Sequence, residues 1–433
     1  MSAAYRLAAS LAVPVLHLVL RARIRAGKED AGRLGERFGR AGRPRPAGPL
    51  VWIHAASNGE ARSALGLVSR LLDHRDDLHV LFTSFTLTSA RMLSELLPPR
   101  AMHQFVPLDV PAWVDRFLDH WQPELAIWIE GELWPNLVRR TAERGIPMAL
   151  VNGRMSARSF RRWRAAAPLL RPPIDAFDIR LAQSTIDAER FGALGAPAKF
   201  VGHLKFDGAD LPADGEELER MRAVIGTRPL WLAASTHPGE EEIALETHAL
   251  LTTAYPRLLT IVVPRHARRG DELAAMMRAR GHNVAQRSKG ERPGPETGIY
   301  LADTMGELGL FYRLARIAFV GASLVPRGGQ NPLEGARLGC ALAFGPYMTN
   351  CREIADALIG AGAAVEVRTA DDLARHVSTL LSDASAQARA GAAAVAVAAQ
   401  GRGATERVFA ELTPLLQRGL SRPSTTDPRH ARA

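Results

Sequence analysis

Short apolar strands alternate with helical segments from residue 50 to residue 367 of this 433-residue chain. Most of the strands are nearly continuous apolar runs, which is typical of strands buried on both faces of a sheet. Strands that alternate with helices form βαβ units and predict parallel sheets. The predicted strands are 51–55, 79–83, 103–107, 125–129, 148–151, 179–182 and 199–201 in a first block, and 230–234, 259–263, 283–286, 299–302, 317–320, 341–344 and 364–367 in a second.

A polar stretch rich in Gly and Pro, residues 207–215 (DGADLPADG), separates the two blocks and predicts an interdomain linker. The predicted fold class is therefore α/β, with two Rossmann-like parallel-sheet domains that face each other across a cleft. We place the first domain at 48–206 and the second at 216–420. The last residues, 421–433, are predicted to be a disordered basic tail.

The charge of the chain is concentrated at its two ends. Residues 1–47 contain ten Lys or Arg and three Asp or Glu, and residues 417–433 contain four Arg and one Asp. These segments account for the whole formal net charge of +10, so the chain between them is neutral. A basic core that binds nucleic acid is therefore disfavoured, and the basic ends predict contact with an anionic surface such as a membrane.

An apolar run, residues 7–20 (LAASLAVPVLHLVL), lies between Arg6 and a basic cluster that ends at Lys28. Its length is short of the roughly 20 residues that a spanning helix needs. A signal peptide would end in a small-residue cleavage site and not in an arginine cluster. We expect residues 1–47 to be a membrane-associating segment with a monotopic or barely inserted helix. The alternative is an ordinary amphipathic helix of the first domain.

The first predicted strand ends in a small polar turn that Glu60 follows at the start of a helix, in the stretch VWIHAASNGEARSALG (51–66). This places Glu60 at the carboxyl edge of a parallel sheet, where open α/β folds bind ligands. The free N–H groups of a helix N-terminus favour an ionised carboxylate, which can act as a general base. A structural role as a first-turn helix acid is the alternative.

A second chemical signal follows the strands of the second block. Arg265 and His266 come directly after one strand, and the run RGGQNPLE (327–334) follows another. Glycines allow close approach of the backbone to a ligand, Asn-Pro suits the start of a helix, and a helix N-terminus can hold a phosphate. A turn followed by a cap, and a solvated basic loop, are the structural alternatives for these two stretches. The two cysteines, Cys340 and Cys351, indicate neither disulfides nor zinc ligation, so we expect a reducing compartment and no metal site.

Several stretches, taken together and in order, resemble the Kdo transferases, which add 3-deoxy-D-manno-octulosonic acid (Kdo) to lipid A. The resemblance covers residues from about 30 to 412. Its motifs are WIHAASNGE (52–60), WIEGELWPN (128–136), VNGRMSARS (151–159), VGHLKFD (201–207), AASTHPGEE (233–241), VPRH (263–266), MGELGLFY (305–312) and FVGASLVPRGGQNPLEGA (319–336).

The resemblance implies a GT-B glycosyltransferase with an N-terminal acceptor domain and a C-terminal donor domain. The donor would be CMP-Kdo and the acceptor a lipid A precursor at the cytoplasmic leaflet of the inner membrane of a Gram-negative bacterium. The transfer would need no metal and no cofactor, and it would invert the anomeric carbon. No nucleic-acid partner is implied.

The same resemblance assigns roles to residues of this chain. Glu60 would be the general base, and Glu130 and Lys205 would stabilise the transition state. The predicted donor-binding residues, which include polar residues at the ends of strands, are Ser235, Arg265, His266, Met305, Gly306, Glu307, Ser323, Gly328, Gly329, Asn331 and Glu334. The predicted acceptor-side residues are Ser57, Gly59 and Thr83.

Two other functions are compatible with this fold class. A UDP-sugar 2-epimerase shares the two-domain fold, but the basic N-terminal segment and the ELWPN motif argue against it. A non-catalytic membrane adaptor would have no need of Glu60.

Overall fold

The computed structural model describes residues 3–165, 173–208 and 210–421. It divides the chain into two compact units. The first contains the residues up to Gly208 together with those from Arg402 onwards, and the second is Ala209–Gly401. Each unit is built on one seven-stranded sheet.

The sheet of the first unit is parallel throughout and has the strand order β3-β2-β1-β4-β5-β6-β7. Alternate residues of β1 enter two different cores, Val51 and Ile53 on one face and Trp52 on the other. The strands are β1 (Leu50–Ala55), β2 (His79–Ser84), β3 (Ala101–Phe105), β4 (Leu125–Ile129), β5 (Met148–Gly153), β6 (Ile179–Ala182) and β7 (Lys199–Phe200).

The sheet of the second unit is also parallel, with the order β10-β11-β9-β8-β12-β13-β14. Its strands are β8 (Leu230–Thr236), β9 (Leu259–Pro264), β10 (Val284–Gln286), β11 (Ile299–Leu301), β12 (Ile317–Val320), β13 (Ala341–Phe344) and β14 (Ala364–Glu366). Every predicted strand overlaps one of these fourteen, and the predicted α/β class with two parallel sheets is confirmed. The third strand begins and ends two residues earlier than predicted.

Helices connect the strands of both units. Those of the first unit are α1 (Ala3–Leu11), α2 (Val13–Arg25), α3 (Leu34–Arg37), α4 (Asn58–His74), α5 (Leu87–Leu96), α6 (Pro111–Trp121), α7 (Pro135–Glu143), α8 (Ala157–Ala165) and α9 (Thr185–Ala193). Those of the second are α10 (Gly215–Ile225), α11 (Glu240–Thr252), α12 (Gly270–Ala279), α13 (Leu308–Leu314), α14 (Leu333–Arg337), α15 (Arg352–Gly360), α16 (Ala370–Ser382) and α17 (Ala384–Gln400).

The last helix, α18 (Ala404–Leu420), returns to the first unit, although the sequence predicts that residues 216–420 belong to the second domain. Its apolar side chains, including Leu412 and Leu416, are buried in the core beside α4. Asp207 supports the return because its carboxylate accepts hydrogen bonds from the backbone N–H groups of Gly403 and Thr405. The predicted tail lies, beyond its first residue, outside the described residues.

The N-terminal helices pack on the first unit through a few contacts. Tyr5 donates a hydrogen bond to Asp109 (2.9 Å), and His17 stacks on Phe38 with ring centroids 4.8 Å apart. Leu20 is buried, whereas five other apolar side chains of these helices are exposed, namely Leu7 (62%), Leu11 (71%), Val15 (60%), Leu18 (63%) and Val19 (47%). In the described part of the chain, no individual helix could span a bilayer. Only α1 and α2 together reach the length and apolar composition of a span, and they meet at a bend of 55°.

Part of the positive charge of residues 1–47 is neutralised inside the first unit. The buried Arg37 guanidinium donates to Glu29 at 2.8 Å and to the carbonyl oxygens of Phe85 and Val106. Arg33 pairs with Glu36 at 2.9 Å. The predicted N-terminal segment therefore has two parts, exposed helices and an end that belongs to the folded unit.

Candidate active site

The strand order of each sheet reverses at one point, and ligands of open α/β folds bind at the carboxyl ends of the strands there. In the first unit this point lies between β1 and β4, and Glu60 and Glu130 follow these two strands. In the second unit it lies between β8 and β12, which are followed by His237 and by the loop that contains Ser323. The topology thus selects one group of residues in each unit.

Glu60 lies in the first turn of α4, where Ser57 is the N-cap residue. Ser57 Oγ donates a hydrogen bond to Glu60 Oε1 and the Ala56 N–H donates one to Oε2, both at 2.8 Å. The Glu60 N–H in turn donates to Ser57 Oγ at 3.3 Å. This reciprocal cap fixes the carboxylate at the end of β1, as the sequence predicts.

The protonation of Glu60 differs from the prediction. Burial raises the pKa of Glu60 to about 7, and the negative charge of Glu130 adds to the rise, whereas the hydrogen bonds from Ser57 and Ala56 oppose it. Loss of solvation therefore outweighs the helix N-terminus that we expected to keep the group ionised. A carboxylate with a pKa near neutrality is well matched to proton abstraction, because it is basic enough to accept a proton and still half ionised at pH 7.

Glu130 and Lys205 form an ion pair in the first unit. Lys205 Nζ lies 3.4 Å from Glu130 Oε1, and the side chains are only 15% and 12% exposed. Glu130 has a φ of 67°, which costs a non-glycine residue about 1–3 kcal/mol. Its backbone is held by the Arg154 N–H, which donates to the Glu130 carbonyl at 3.1 Å. Strain of this kind is concentrated at functional sites, so the conformation is consistent with a role for this side chain.

The acceptor-side residues differ in how accessible they are. Thr83 is fully buried, and its hydroxyl is engaged by Trp52 Nε1 (2.8 Å) and His54 Nδ1 (3.0 Å). The Thr83 side chain thus points into the core beside these rings, and its predicted acceptor contact stays a prediction. Ser57 is engaged in the cap, and Gly59 is exposed with open space where a Cβ would lie.

The second unit gathers cationic groups beyond β8 and β9. Burial lowers the pKa of His237 to about 4, and His266, Arg327, Arg265 and Arg269 lower it further through their positive charge. The His237 and His266 rings meet edge to face with centroids 5.6 Å apart. Such a group suits an anion, as predicted for Arg265 and His266. Arg269 is a member that the sequence analysis did not single out, and its guanidinium donates to the buried Glu241 carboxylate.

In the loop at Met305, one predicted donor residue is exposed and another is already bound by neighbouring side chains. Met305 is 69% exposed, and Gly306 has a φ of 86° that favours glycine. Glu307 is bound by the Arg287 guanidinium and by the Thr304 hydroxyl, and the Arg287 hydrogen bonds lower its pKa. The structure thus gives the Glu307 carboxylate a role in holding this loop.

Close packing explains the glycine pair of the RGGQNPLE run. Gly328 and Gly329 have φ values of 93° and 78°, and a Cβ at either position would overlap Asn350 or Met348. Asn331 Oδ1 accepts a hydrogen bond from the Leu333 N–H at 3.2 Å. The helix that follows, α14, has only five residues and carries Glu334 in its first turn. A helix this short provides a smaller dipole than the phosphate-binding prediction assumed.

Two serines of the predicted donor site differ from each other. Ser235, within β8, has a φ of 55° that marks a distorted strand end. Ser323 is fully buried, and its hydroxyl donates to the Val320 carbonyl at 2.5 Å and accepts from the Gly345 N–H at 2.8 Å. Both hydrogen-bonding functions of the Ser323 hydroxyl thus serve the loop itself, and a donor contact of this residue stays a prediction.

Glu240 is a buried residue that the sequence analysis did not single out. Its carboxylate accepts hydrogen bonds from the backbone N–H groups of His237, Ala322, Ser323 and Leu324, at 2.7–2.9 Å. One side chain thereby joins the loops after β8 and β12. Glu residues at helix starts are ordinarily exposed, so only the GEE pattern before a helix could have suggested this role.

No group of three or more His, Cys, Asp or Glu residues in the described ranges is arranged to hold a metal ion.

Comparisons with known proteins agree with the motif pattern. A sequence profile described as "3-Deoxy-D-manno-octulosonic-acid transferase (kdotransferase)" matches residues 32–208. The "3-deoxy-D-manno-octulosonic acid transferase" of Haemophilus influenzae is 37% identical over 399 residues, which are 90% of this chain and 92% of that protein. The "Probable 3-deoxy-D-manno-octulosonic acid transferase, mitochondrial" of Arabidopsis thaliana is 36% identical over 384 residues, or 86% of each chain.

Solved structures extend the comparison of the fold. A putative UDP-N-acetylglucosamine 2-epimerase from Listeria monocytogenes matches with a TM-score of 0.60, covering 86% of this chain and 97% of that one. The sequence identity is 15%, so this likeness concerns the fold alone. It confirms the predicted GT-B fold class.

Proposed function

The chain belongs to the 3-deoxy-D-manno-octulosonic acid (Kdo) transferase family, and from this premise we propose that it moves Kdo from CMP-Kdo to a lipid A precursor. The enzyme is a glycosyltransferase. The observation that supports it most is the carboxylate of Glu60, held at the strand-order reversal of the first unit with a pKa near 7.

Glu60 acts in this proposal as the general base. Its carboxylate accepts the proton of an acceptor hydroxyl while that oxygen attacks the anomeric carbon of Kdo. The bond between this carbon and the CMP phosphate oxygen breaks, and CMP leaves with the electron pair. Attack opposite to the leaving group inverts the anomeric carbon. The hydrogen bonds from Ser57 and Ala56 hold the Glu60 side chain in one orientation for this step.

Positive charge stabilises the departing nucleotide. Arg265 and Arg327, two of the cations beside His237, provide it in the second unit. Lys205, oriented by Glu130, provides a further cation in the first unit. Fixed cations that face developing negative charge lower the barrier without reorganisation at the moment of reaction. We therefore propose that the transfer requires neither a divalent metal nor a cofactor.

We propose that the enzyme works at the cytoplasmic leaflet of the inner membrane of a Gram-negative bacterium, because its acceptor is a lipid. The exposed side chains of α1 and α2, such as Leu11 and Leu18, provide apolar contact area. Basic residues of the same segment add attraction to anionic lipids, at about 1 kcal/mol each near the surface. A helix pair lying in the interface accounts for both features.

The alternative of a UDP-sugar 2-epimerase has only the fold in its favour. The likeness to the epimerase structure is at 15% identity, whereas the Kdo transferases are 36–37% identical over most of the chain. A non-catalytic adaptor would not explain a half-buried carboxylate with a pKa near 7 at the strand-order reversal.

Transfer of Kdo from CMP-Kdo to a lipid A precursor, detected as the mass increase of the lipid, tests the proposal. We expect glycosylated lipid and free CMP in equal amounts, with the inverted configuration at the new anomeric centre. Release of CMP without a glycosylated lipid, or conversion of a UDP-sugar to its 2-epimer, would overturn the assignment.

A further inference from the structure

A long stretch of the first unit contains arginines and no acidic residue. Between Glu143 and Asp175 there is no Asp or Glu, and the segment 154–165 alone contains five arginines. The chain between its two ends, with this stretch included, is neutral in sum, so this concentration is a local feature. None of the roles proposed above uses the arginines of this stretch, apart from the backbone contact of Arg154.

The structure places four of these arginines on helix α8. Its aromatic residues, Phe160 and Trp163, pack against the core that contains Trp52 and Trp128. The remaining face is exposed and cationic, and it is formed by Arg158, Arg161, Arg162 and Arg164. No salt bridge to a carboxylate is present at these four side chains within the described part of the chain, whereas Arg70 and Arg144 pair with carboxylates.

Helix α8 begins close to the candidate catalytic carboxylates. The Arg154 N–H donates to the carbonyl of Glu130 at 3.1 Å, and α8 starts three residues later. The charge of Glu130 in turn raises the pKa of Glu60. The arginine face is therefore attached, through a short and hydrogen-bonded segment, to the part of the unit where the acceptor hydroxyl would react.

We propose that the exposed arginines of α8 bind phosphate groups of the lipid acceptor. This inference rests on the proposed function. Arginine matches phosphate because its planar guanidinium donates two parallel hydrogen bonds. Insertion of α8 into a bilayer is disfavoured because its aromatic residues are packed inwards, so the exposed face offers only charge. The apolar contact with the bilayer is instead made by α1 and α2, which leaves α8 for the acceptor head group.

The test compares two variants with equal changes in net charge. The first replaces the α8 face by Arg158→Gln, Arg161→Gln, Arg162→Gln and Arg164→Gln. The matched control removes four exposed arginines of the second unit by Arg220→Gln, Arg222→Gln, Arg375→Gln and Arg389→Gln. The control arginines form surface ion pairs, which contribute little to stability, so the control variant is expected to fold.

Initial rates are measured in non-ionic detergent with a phosphorylated lipid A precursor and with the same lipid after removal of its phosphates. We expect the α8 variant to raise the acceptor KM about tenfold or more, because four guanidinium groups that bind phosphate are removed. The KM for CMP-Kdo and kcat should stay within twofold. With the dephosphorylated lipid, the α8 variant and the intact protein should have equal KM values. Replacement of the same four residues by Lys should restore part of the affinity.

Three results would overturn the inference. One is an acceptor KM equal to that of the control variant, and another is an equal loss with the dephosphorylated lipid. The third is loss of binding to phosphatidylglycerol vesicles without acceptor, which would assign the arginines to the bulk membrane. A failure of the proposed function is separable, because intact protein would then transfer no Kdo to either lipid. Binding of the phosphorylated lipid to protein, measured without donor, would still report on the arginines.

Discussion

Lys205 Nζ lies 3.4 Å from Glu130 Oε1, and Glu130 is the charge that adds to burial in raising the pKa of Glu60. The three residues therefore form a coupled system in which one carboxylate has two effects. It orients a cation and it makes a neighbouring carboxylate more basic. This coupling gives the candidate site a definite dependence on pH.

Replacement of the proposed base is the first prediction. Glu60→Gln should lower kcat by about 10²–10⁴-fold, because the amide cannot accept the acceptor proton. Binding of CMP, measured by calorimetry, should be unchanged because the cationic group belongs to the second unit. Glu95→Gln, at an exposed glutamate of α5, serves as the control and should retain full activity. Near-normal turnover of Glu60→Gln would remove Glu60 from the mechanism.

The second prediction concerns pH. A base acts when it is deprotonated, so kcat should rise with pH, with a half-maximal value near pH 7 and a tenfold fall per pH unit further below. Glu130→Gln should move this acidic limb to lower pH, because removal of the negative charge lowers the pKa of Glu60. The measurement is kcat from pH 5 to 9 at saturating substrates. An acidic limb that does not move would show that the two carboxylates are not coupled.

The third prediction concerns metal ions. Transfer should continue in EDTA at the rate found without it, because in the proposed mechanism side-chain cations such as Arg265 and Arg327 bind the phosphate. Arg265→Gln should raise the KM for CMP-Kdo about tenfold, as expected for loss of a charge-assisted hydrogen bond of about 1.5 kcal/mol. Its acceptor KM should not change. Inhibition by EDTA that magnesium reverses would contradict this view of the donor site.

The fourth prediction concerns membrane attachment. A variant with Leu7→Gln, Leu11→Gln, Val15→Gln and Leu18→Gln should dissociate from anionic vesicles at high salt, since burial of each apolar side chain contributes about 1.5 kcal/mol or more. Vesicle flotation measures the bound fraction. These substitutions preserve Tyr5 and His17, which a deletion of residues 1–25 would remove together with their contacts to the first unit.

The control for this variant replaces exposed apolar residues elsewhere, by Leu96→Gln, Ile186→Gln, Val224→Gln and Leu250→Gln. Equal flotation of both variants and the intact protein would place the membrane contact outside α1 and α2. Activity on detergent-dispersed acceptor should be retained by both variants.

The fifth prediction concerns Glu240. Glu240→Gln turns an N–H group towards backbone N–H donors in a buried site, at a cost of about 2 kcal/mol or more. For a unit of this size, that lowers an unfolding transition by roughly 5 °C. Calorimetry of the full chain should detect this change, with the exposed Glu246→Gln as control. The KM for CMP-Kdo should rise as well, because Glu240 joins the loops after β8 and β12. Unchanged thermograms would contradict this role.

The strands were predictable because buried parallel strands are continuous apolar runs bounded by polar turns. The position of Glu60 was predictable for the same reason, since it follows the first strand directly. The pKa of Glu60 was not, because it depends on burial and on Glu130, which is distant in sequence. The engagement of Thr83 also depends on partners from another strand, Trp52 and His54, which no local pattern reveals.

The unit on which the last helix packs could not be predicted from the sequence either. The apolar pattern of α18 predicts an amphipathic helix but does not specify the sheet it covers. The carboxylate of Asp207 and the apolar face of α4 determine that, and they lie about 200 and about 340 residues earlier. Buried acids such as Glu240 were hidden for another reason, because charged residues are assumed to be exposed until their partners are known.

The return of α18 also reverses the usual order of events during synthesis. The second unit is one continuous stretch, so all of its residues leave the ribosome before α18 does. The first unit is the opposite case. It begins at the N-terminus, yet the α4 side of its core stays uncovered until Leu412 and Leu416 are made. Domains generally fold in the order of their synthesis. In this chain the unit that starts first finishes last, and for some 200 codons the nascent protein carries an open apolar surface that chaperones can bind.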